Sequence, residues 1–193
     1  MNLMVPISTM KEEGNWPLPW ISAKGLVDVL KHRKDLVGCE LGVSFGFNLV
    51  YFLENLPNIS KVYAIDPYQP YDDPPGGYVT EEVINQVKSL FLTNIDRYQS
   101  KVKFLNLPSD DAHFDIPNNT LDYIFIDGDH SYQAVKKDMS HYYSKVKTGG
   151  VFAGHDVHLS SVRQAVEEFR TAKEIKTELL YCDHNVWYWV KDE

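Results

Sequence analysis

Two clusters of acid and imidazole side chains close two short apolar runs between residues 121 and 157. Asp127, Asp129 and His130 follow Tyr123–Ile126, and His155 and Asp156 follow Val151–Ala153 after one glycine. Carboxylate oxygens are hard donors that suit Mg²⁺ or Mn²⁺, so Asp127 and Asp156 are candidate ligands of one divalent ion. His155 is a candidate third ligand, although imidazole binds Mg²⁺ poorly and Mn²⁺, Fe²⁺ or Zn²⁺ better. His130 lies three residues past Asp127. Its imidazole titrates near neutral pH and suits removal of a hydroxyl proton that a nearby cation acidifies. The plain alternative is an Asp-Gly-Asp-His helix cap without catalysis.

Strand topology is what would gather these groups. Ile, Phe, Val and Tyr suit a pleated core, and the runs are too short for helices. In an open parallel sheet, ligands bind just beyond the carboxyl ends of the strands. Strands are expected at Leu36–Leu41, Val62–Ile65, Val102–Leu105, Leu121–Ile126 and Val151–Ala153. Helices are expected at Ser22–Lys34 with Ser22 as N-cap, Phe47–Leu56, Thr80–Tyr98, Ser131–Lys147 and Ser160–Lys173. Gly149-Gly150 looks like the stop of the fourth of these helices. Lys176–Cys182 and Val186–Lys191 alternate around Asp183-His184-Asn185 as a terminal antiparallel hairpin. The prolines and glycines of PYQPYDDPPGGY (67–78) argue against regular structure there. The sum is an α/β, doubly wound, Rossmann-like sheet, seven-stranded and mostly parallel, with an antiparallel C-terminal hairpin.

Gly38-Cys39-Glu40-Leu41-Gly42-Val43-Ser44-Phe45-Gly46 crosses from the first of these strands to the next helix. Gly42 and Gly46 permit a sharp turn and close approach of a ligand. The dinucleotide fingerprint is absent, because Ser44 stands where its second glycine would be. Glu40 would attract a cation and repel phosphate. Asp66, closing the second strand in YAIDPY, can accept both hydroxyls of a ribose. Together they match an adenosine with a cationic tail.

Glu40-x-Gly42-x-x-x-Gly46, Asp66 after the next strand and the terminal hairpin together resemble a class I S-adenosylmethionine-dependent methyltransferase, over residues 36–191. IDGDHSYQAV followed by GGVFAGHDV is similar to the subgroup of macrolide-sugar O-methyltransferases and cephalosporin hydroxylase-like proteins, and more distantly to catechol-type enzymes. The resemblance implies S-adenosylmethionine as cofactor, with Glu40 near its ammonium group, Gly42 and Gly46 along the methionine, and Asp66 on the ribose. It implies Ser109 and Asp110 at the adenine, unless they form a helix cap with Pro108 and Asp111, and Asp129 on the cofactor amine or orienting His130. It also implies Asp127 and Asp156 as ligands of Mg²⁺ or Mn²⁺, and His130 as base for methyl transfer to a small-molecule hydroxyl, a sugar among the candidates. Two positions depart from the pattern. Val157 stands where catechol-type enzymes carry Asn, and His155 where some relatives carry an acid.

The chain has 193 residues, 44% of them apolar, which suits a single domain over 1–193. Residues 1–35, with Trp16 and Trp20, are expected to cover the acceptor side, and Gln69–Tyr78 to act as a lid. A net charge of −8 without a Lys/Arg block argues against nucleic acid or an acidic membrane surface as partner. No apolar stretch approaches the roughly 20 residues of a membrane span. The first residues do not resemble a secretory signal. Two cysteines without CxxC spacing suit reduced thiols, hence a cytoplasmic protein. So short a chain leaves little room for a substrate domain, so a second subunit is expected to complete the pocket, making a homo-oligomer. The rival readings are a nicotinamide oxidoreductase, a metal-dependent hydroxylase and a non-catalytic nucleotide-binding module. The hydroxylase needs two histidines and a carboxylate on iron, and the expected strand order gives no reason for His130 and His155 to meet.

Overall fold

The computed structural model describes residues 22–73, 77–182 and 185–192. Its first half runs α1 (Lys24–Leu30), β1 (Leu36–Leu41), α2 (Phe47–Asn55), β2 (Ile59–Ile65), β3 (Tyr71–Asp73), β4 (Gly77–Val79) and α3 (Glu81–Ile95). Its second half runs β5 (Val102–Leu105), α4 (Ser109–Ala112), β6 (Leu121–Ile126), α5 (Tyr132–Tyr142), β7 (Val146–Gly154), α6 (Ser160–Ala172), β8 (Leu180–Cys182) and β9 (Val186–Val190). Seven strands form one sheet in the order β5-β2-β1-β6-β7-β9-β8. All pairings are parallel except those of β9 with β7 and β8. The doubly wound sheet with a terminal hairpin is therefore as the sequence implies.

Strand side chains alternate between two cores, as a period of two demands. Val62, Ala64, Tyr123, Phe125, Val151 and Ala153 face α1, α2 and α3, while Cys39, Leu41, Ile124, Ile126 and Phe152 face α5 and α6. The order reverses at β1, where chain connections leave toward both edges of the sheet. That is the point where such sheets open a crevice for a ligand.

Four local expectations are corrected. Ser22 does not cap α1: Ala23 stands at the N-cap with no side-chain cap bond, and Ser22 Oγ instead accepts from Asn48 Nδ2 of α2 at 2.8 Å, while Asn48 Oδ1 accepts from Ser22 N at 2.9 Å and Ala23 N at 3.4 Å. The α5 helix stops at Tyr142, followed by a 3₁₀ turn, and Gly149-Gly150 lie inside β7. There Gly149 takes φ +77 and donates its amide to Lys191 O at 2.8 Å, and the register of β6 on β7 shifts, so the glycine pair makes an irregularity inside the sheet rather than a helix stop. The Pro/Gly-rich segment contains a short antiparallel ribbon, β3 with β4. The eighth strand is also shorter than expected, spanning Leu180–Cys182 only. By contrast, Thr80 caps α3 as its type suggests, accepting from Val83 N at 3.4 Å. Cys39 is buried and Cys182 half-buried. Among the described residues, no helix is long and apolar enough to cross a membrane.

Candidate functional site

Parallel register brings the first cluster together. Glu40 pairs with Ala64 on one side and Phe125 on the other, so Asp66 and Asp127, two residues beyond those partners, flank the turn that follows β1. The turn is bonded to both neighbours, Gly42 N to Ile65 O at 2.8 Å and Asp127 N to Leu41 O at 3.0 Å. Gly42 has φ +78, and a Cβ there would lie 2.2 Å from the Asp127 carbonyl oxygen, so only glycine fits. Gly46, at φ +79, starts α2.

Glu40 is 2% exposed, and its Oε2 has no hydrogen-bond partner among the described residues. Burial drives its carboxyl well above the ordinary value, and the neighbouring Asp127 and Asp66 charges push the same way. A buried carboxyl left unsatisfied in this way is suited to a cationic ligand group. Asp66 accepts from Ser44 N at 3.0 Å through Oδ2 and from Tyr68 N at 2.9 Å through Oδ1. Each oxygen thus keeps capacity for one further donor, as a ribose requires. Burial raises its pKa, and these two amides oppose the rise.

The second cluster closes β6 and β7. Ile126 pairs with Gly154, so Asp127 and His155 emerge side by side. His130 Nε2 lies 2.8 Å from Asp156 Oδ2 and 3.7 Å from Asp127 Oδ1. His155 Nδ1 lies 3.3 Å from Asp127 Oδ1 and 3.1 Å from Asp156 Oδ2. Two imidazoles and two carboxylates therefore form one tetrad. The hydroxylase objection does not hold on this point, since His130 and His155 do meet on shared carboxylates.

Without a metal the tetrad balances its own charge. Hydrogen bonds to Asp127 and Asp156 raise His130 to about 10. Burial lowers His155, but the same carboxylates outweigh it and hold that ring at about 10 as well. Burial raises both carboxyls, yet the imidazoles win, leaving Asp127 below its ordinary value and Asp156 further below. Asp127, His130 and Asp156 each offer one ligand atom, all within 4.8 Å of one another. This mixed oxygen and nitrogen set fits Mn²⁺, Fe²⁺ or Zn²⁺ better than Mg²⁺. The side chain of His130 is 44% exposed whereas that of His155 is 5% exposed, so His130 faces the open side of the cluster. His158 stands at its margin, Nδ1 3.6 Å from Asp156 Oδ1.

The remaining candidates are engaged elsewhere. Asp129 Oδ1 accepts from Ser131 N at 2.7 Å, fixing the start of α5. Ser109 Oγ donates to Asp138 Oδ1 at 2.6 Å, and Asp110 pairs with Lys137 and His141. The proposed Ser-Asp-Asp cap is not formed, since α4 has no side-chain cap bond. Trp16, Trp20 and residues 74–76 of the expected lid lie outside the described residues. Sequence reasoning missed Tyr68, whose hydroxyl donates to Ser44 O beside Asp66, and the buried Asp138. Tyr68 follows Asp66 by two residues, and Asp138 is an acid on the inward stripe of an amphipathic helix; those were the available signals.

A family model described as a methyltransferase domain matches residues 39–157. An uncharacterised protein of Sinorhizobium fredii is 26% identical over 137 residues, covering 69% of this chain and 14% of that protein. One of Acanthamoeba polyphaga mimivirus is 31% identical over 128 residues, covering 64% of this chain and 52% of that protein. The chain thus spans about half the length, or less, of these curated relatives. Among solved structures, the O-methyltransferase NovP matches with a TM-score of 0.64 and 24% identity, over 83% of this chain and 73% of that one. That likeness is one of fold.

Proposed function

The chain belongs to the methyltransferase-domain family, and from that premise we propose that it moves a methyl group from S-adenosylmethionine to a hydroxyl oxygen of a small molecule, with a divalent cation at the tetrad. The observation that carries this reading is the convergence of Asp127, His130, His155 and Asp156 beside the Glu40–Gly42 turn. Glu40 would meet the cationic amine, Gly42 and Gly46 the methionine chain, and Asp66 the ribose. Ser109 and Asp110 would border the adenine, and Asp129, whose Oδ1 accepts from Ser131 N, would act on the cofactor side through its other oxygen.

Both imidazoles reach the same two carboxylates, and of the two the buried His155 would hold the cation with Asp127 and Asp156, leaving the exposed His130, otherwise a candidate ligand itself, to face the acceptor. The cation would lower the pKa of a hydroxyl bound to it. His130 Nε2 would take the hydroxyl proton, and it is free to do so when the carboxylates' charge is met by the cation rather than by the ring. S-adenosylmethionine, held by Glu40, Gly42, Gly46 and Asp66, would supply an electrophilic methyl group to the acceptor oxygen, its sulfur keeping the electron pair. The chain's main contribution is holding acceptor and methyl in line at about 3 Å.

The assay is transfer of labelled methyl to a panel of sugars and vicinal diols, with Mn²⁺ or Mg²⁺ against a chelator. A methyl ether formed only with metal, and lost by about 100-fold or more in Asp127→Asn, is the expected result. Equal turnover in Asp127→Asn, or with the chelator, would remove the cation from the account. A hydroxylase is the second reading, favoured by the two imidazoles on shared carboxylates. Oxygen consumption with Fe²⁺ and no methyl ether would select it.

A further inference from the structure

Trp187 of β9 takes no part in the chemistry above, yet it touches the loop that carries His155 and Asp156. The side chain is 1% exposed and lies across the sheet from Gly154, its β-pairing partner. A Cβ at Gly154 would lie 2.4 Å from the indole Cζ2, so the glycine is what lets the ring seat there. From that seat the indole N–H donates to the His155 carbonyl at 3.0 Å, a fully buried bond. The next residue, Asp156, has φ +59, a left-handed conformation that non-glycine residues seldom adopt. The same hairpin holds the far side of the turn, where Val157 N donates to Asn185 O at 3.2 Å. Within the turn, Leu159 N donates to Asp156 O at 2.9 Å, and on the near side His155 N donates to Ile126 O at 3.0 Å.

We propose that Trp187 is a positioning residue for the cation centre. The indole hydrogen bond fixes the plane of the peptide joining His155 to Asp156. That plane sets Asp156 in its left-handed conformation and turns both side chains toward Asp127 and His130. A strained turn persists only where its surroundings over-determine it, and the C-terminal hairpin supplies that constraint from outside the strands that bear the ligands. The consequence for metal binding rests on the cation reading above; the consequence for the turn does not.

The test compares wild type with Trp187→Phe, which removes the N–H and keeps a ring. A second variant places benzothienylalanine at position 187, preserving the bicyclic shape without the donor, in case the smaller ring prevents folding. Hydrogen exchange on metal-free protein should show the Val157 and Leu159 amides exchanging about tenfold faster or more, with β6 amides unchanged. Calorimetry with Mn²⁺ should show affinity reduced about 10-fold or more, and S-adenosylmethionine affinity unchanged within about twofold. Unaltered exchange at Val157 and Leu159 in a folded variant would overturn the proposal. Wild type that binds no Mn²⁺ would refute the cation reading alone, since the exchange measurement would still decide the role of Trp187.

Discussion

Glu40 should make cofactor binding release a proton. Its carboxyl is buried between Asp66 and Asp127, with Oε2 unpartnered among the described residues, and burial holds its pKa well above the ordinary value. In the free protein it therefore tends to carry a proton, whereas a bound ammonium group favours the carboxylate. Binding then expels that proton, so affinity rises with pH, by up to about one decade per pH unit, until the free-protein pKa is passed. Glu40→Gln keeps the shape and removes the charge. A buried charge-assisted hydrogen bond contributes about 1.5–3 kcal/mol net, so the dissociation constant should rise about 10- to 150-fold. Calorimetry in two buffers of different ionisation enthalpy checks both parts: wild-type heats should differ between buffers, and the variant's should not. Equal heats for wild type, or an unweakened Glu40→Gln, would refute the reasoning.

Three further outcomes follow from the same groups. His130 and His155 are held at about 10 in the folded protein, against an ordinary value of 6.5, so their stabilisation is complete below that value and lost as pH rises through about 10. The urea midpoint of chelator-treated protein should fall across that range; a flat profile would contradict the tetrad. Tyr123 is buried with no partner for its hydroxyl among the described residues, so Tyr123→Phe should stabilise by about 1 kcal/mol. That corresponds to a rise in Tm of about 2–4 °C for a chain of this size, and a fall would reveal a hidden partner. Gly42→Ala must fit a Cβ 2.2 Å from the Asp127 carbonyl at φ +78, so it should lose about 3 kcal/mol in denaturant titration and weaken cofactor binding. Wild-type stability in that variant would mean the turn is looser than described.

The sheet was legible because its strands are short apolar runs, of which β2 and β6 stop directly on an acid. Once Leu36–Leu41 and Leu121–Ile126 lie parallel, Glu40, Asp66 and Asp127 have little choice of place. The meeting of His130 with His155 was not legible. It depends on the pairing of Ile126 with Gly154 and on the left-handed turn at Asp156, neither of which a strand order contains. Gly149-Gly150 carries the same local signal as a helix stop, and only its partner Lys191 tells a strand irregularity from a cap. Ser22 has the right type for a cap, but its hydroxyl accepts from the side-chain amide of Asn48, 26 residues away, instead. Trp187 could be placed on a strand from its alternation; its bond to His155 could not.

The most direct test of the methyltransferase assignment is titration of the purified protein with S-adenosylmethionine and, separately, with NAD. Micromolar binding of S-adenosylmethionine and none of NAD is predicted, since Glu40 awaits a cation and the turn lacks the second glycine that a pyrophosphate needs. Binding of NAD alone, or of neither, would contradict the account and leave only the fold.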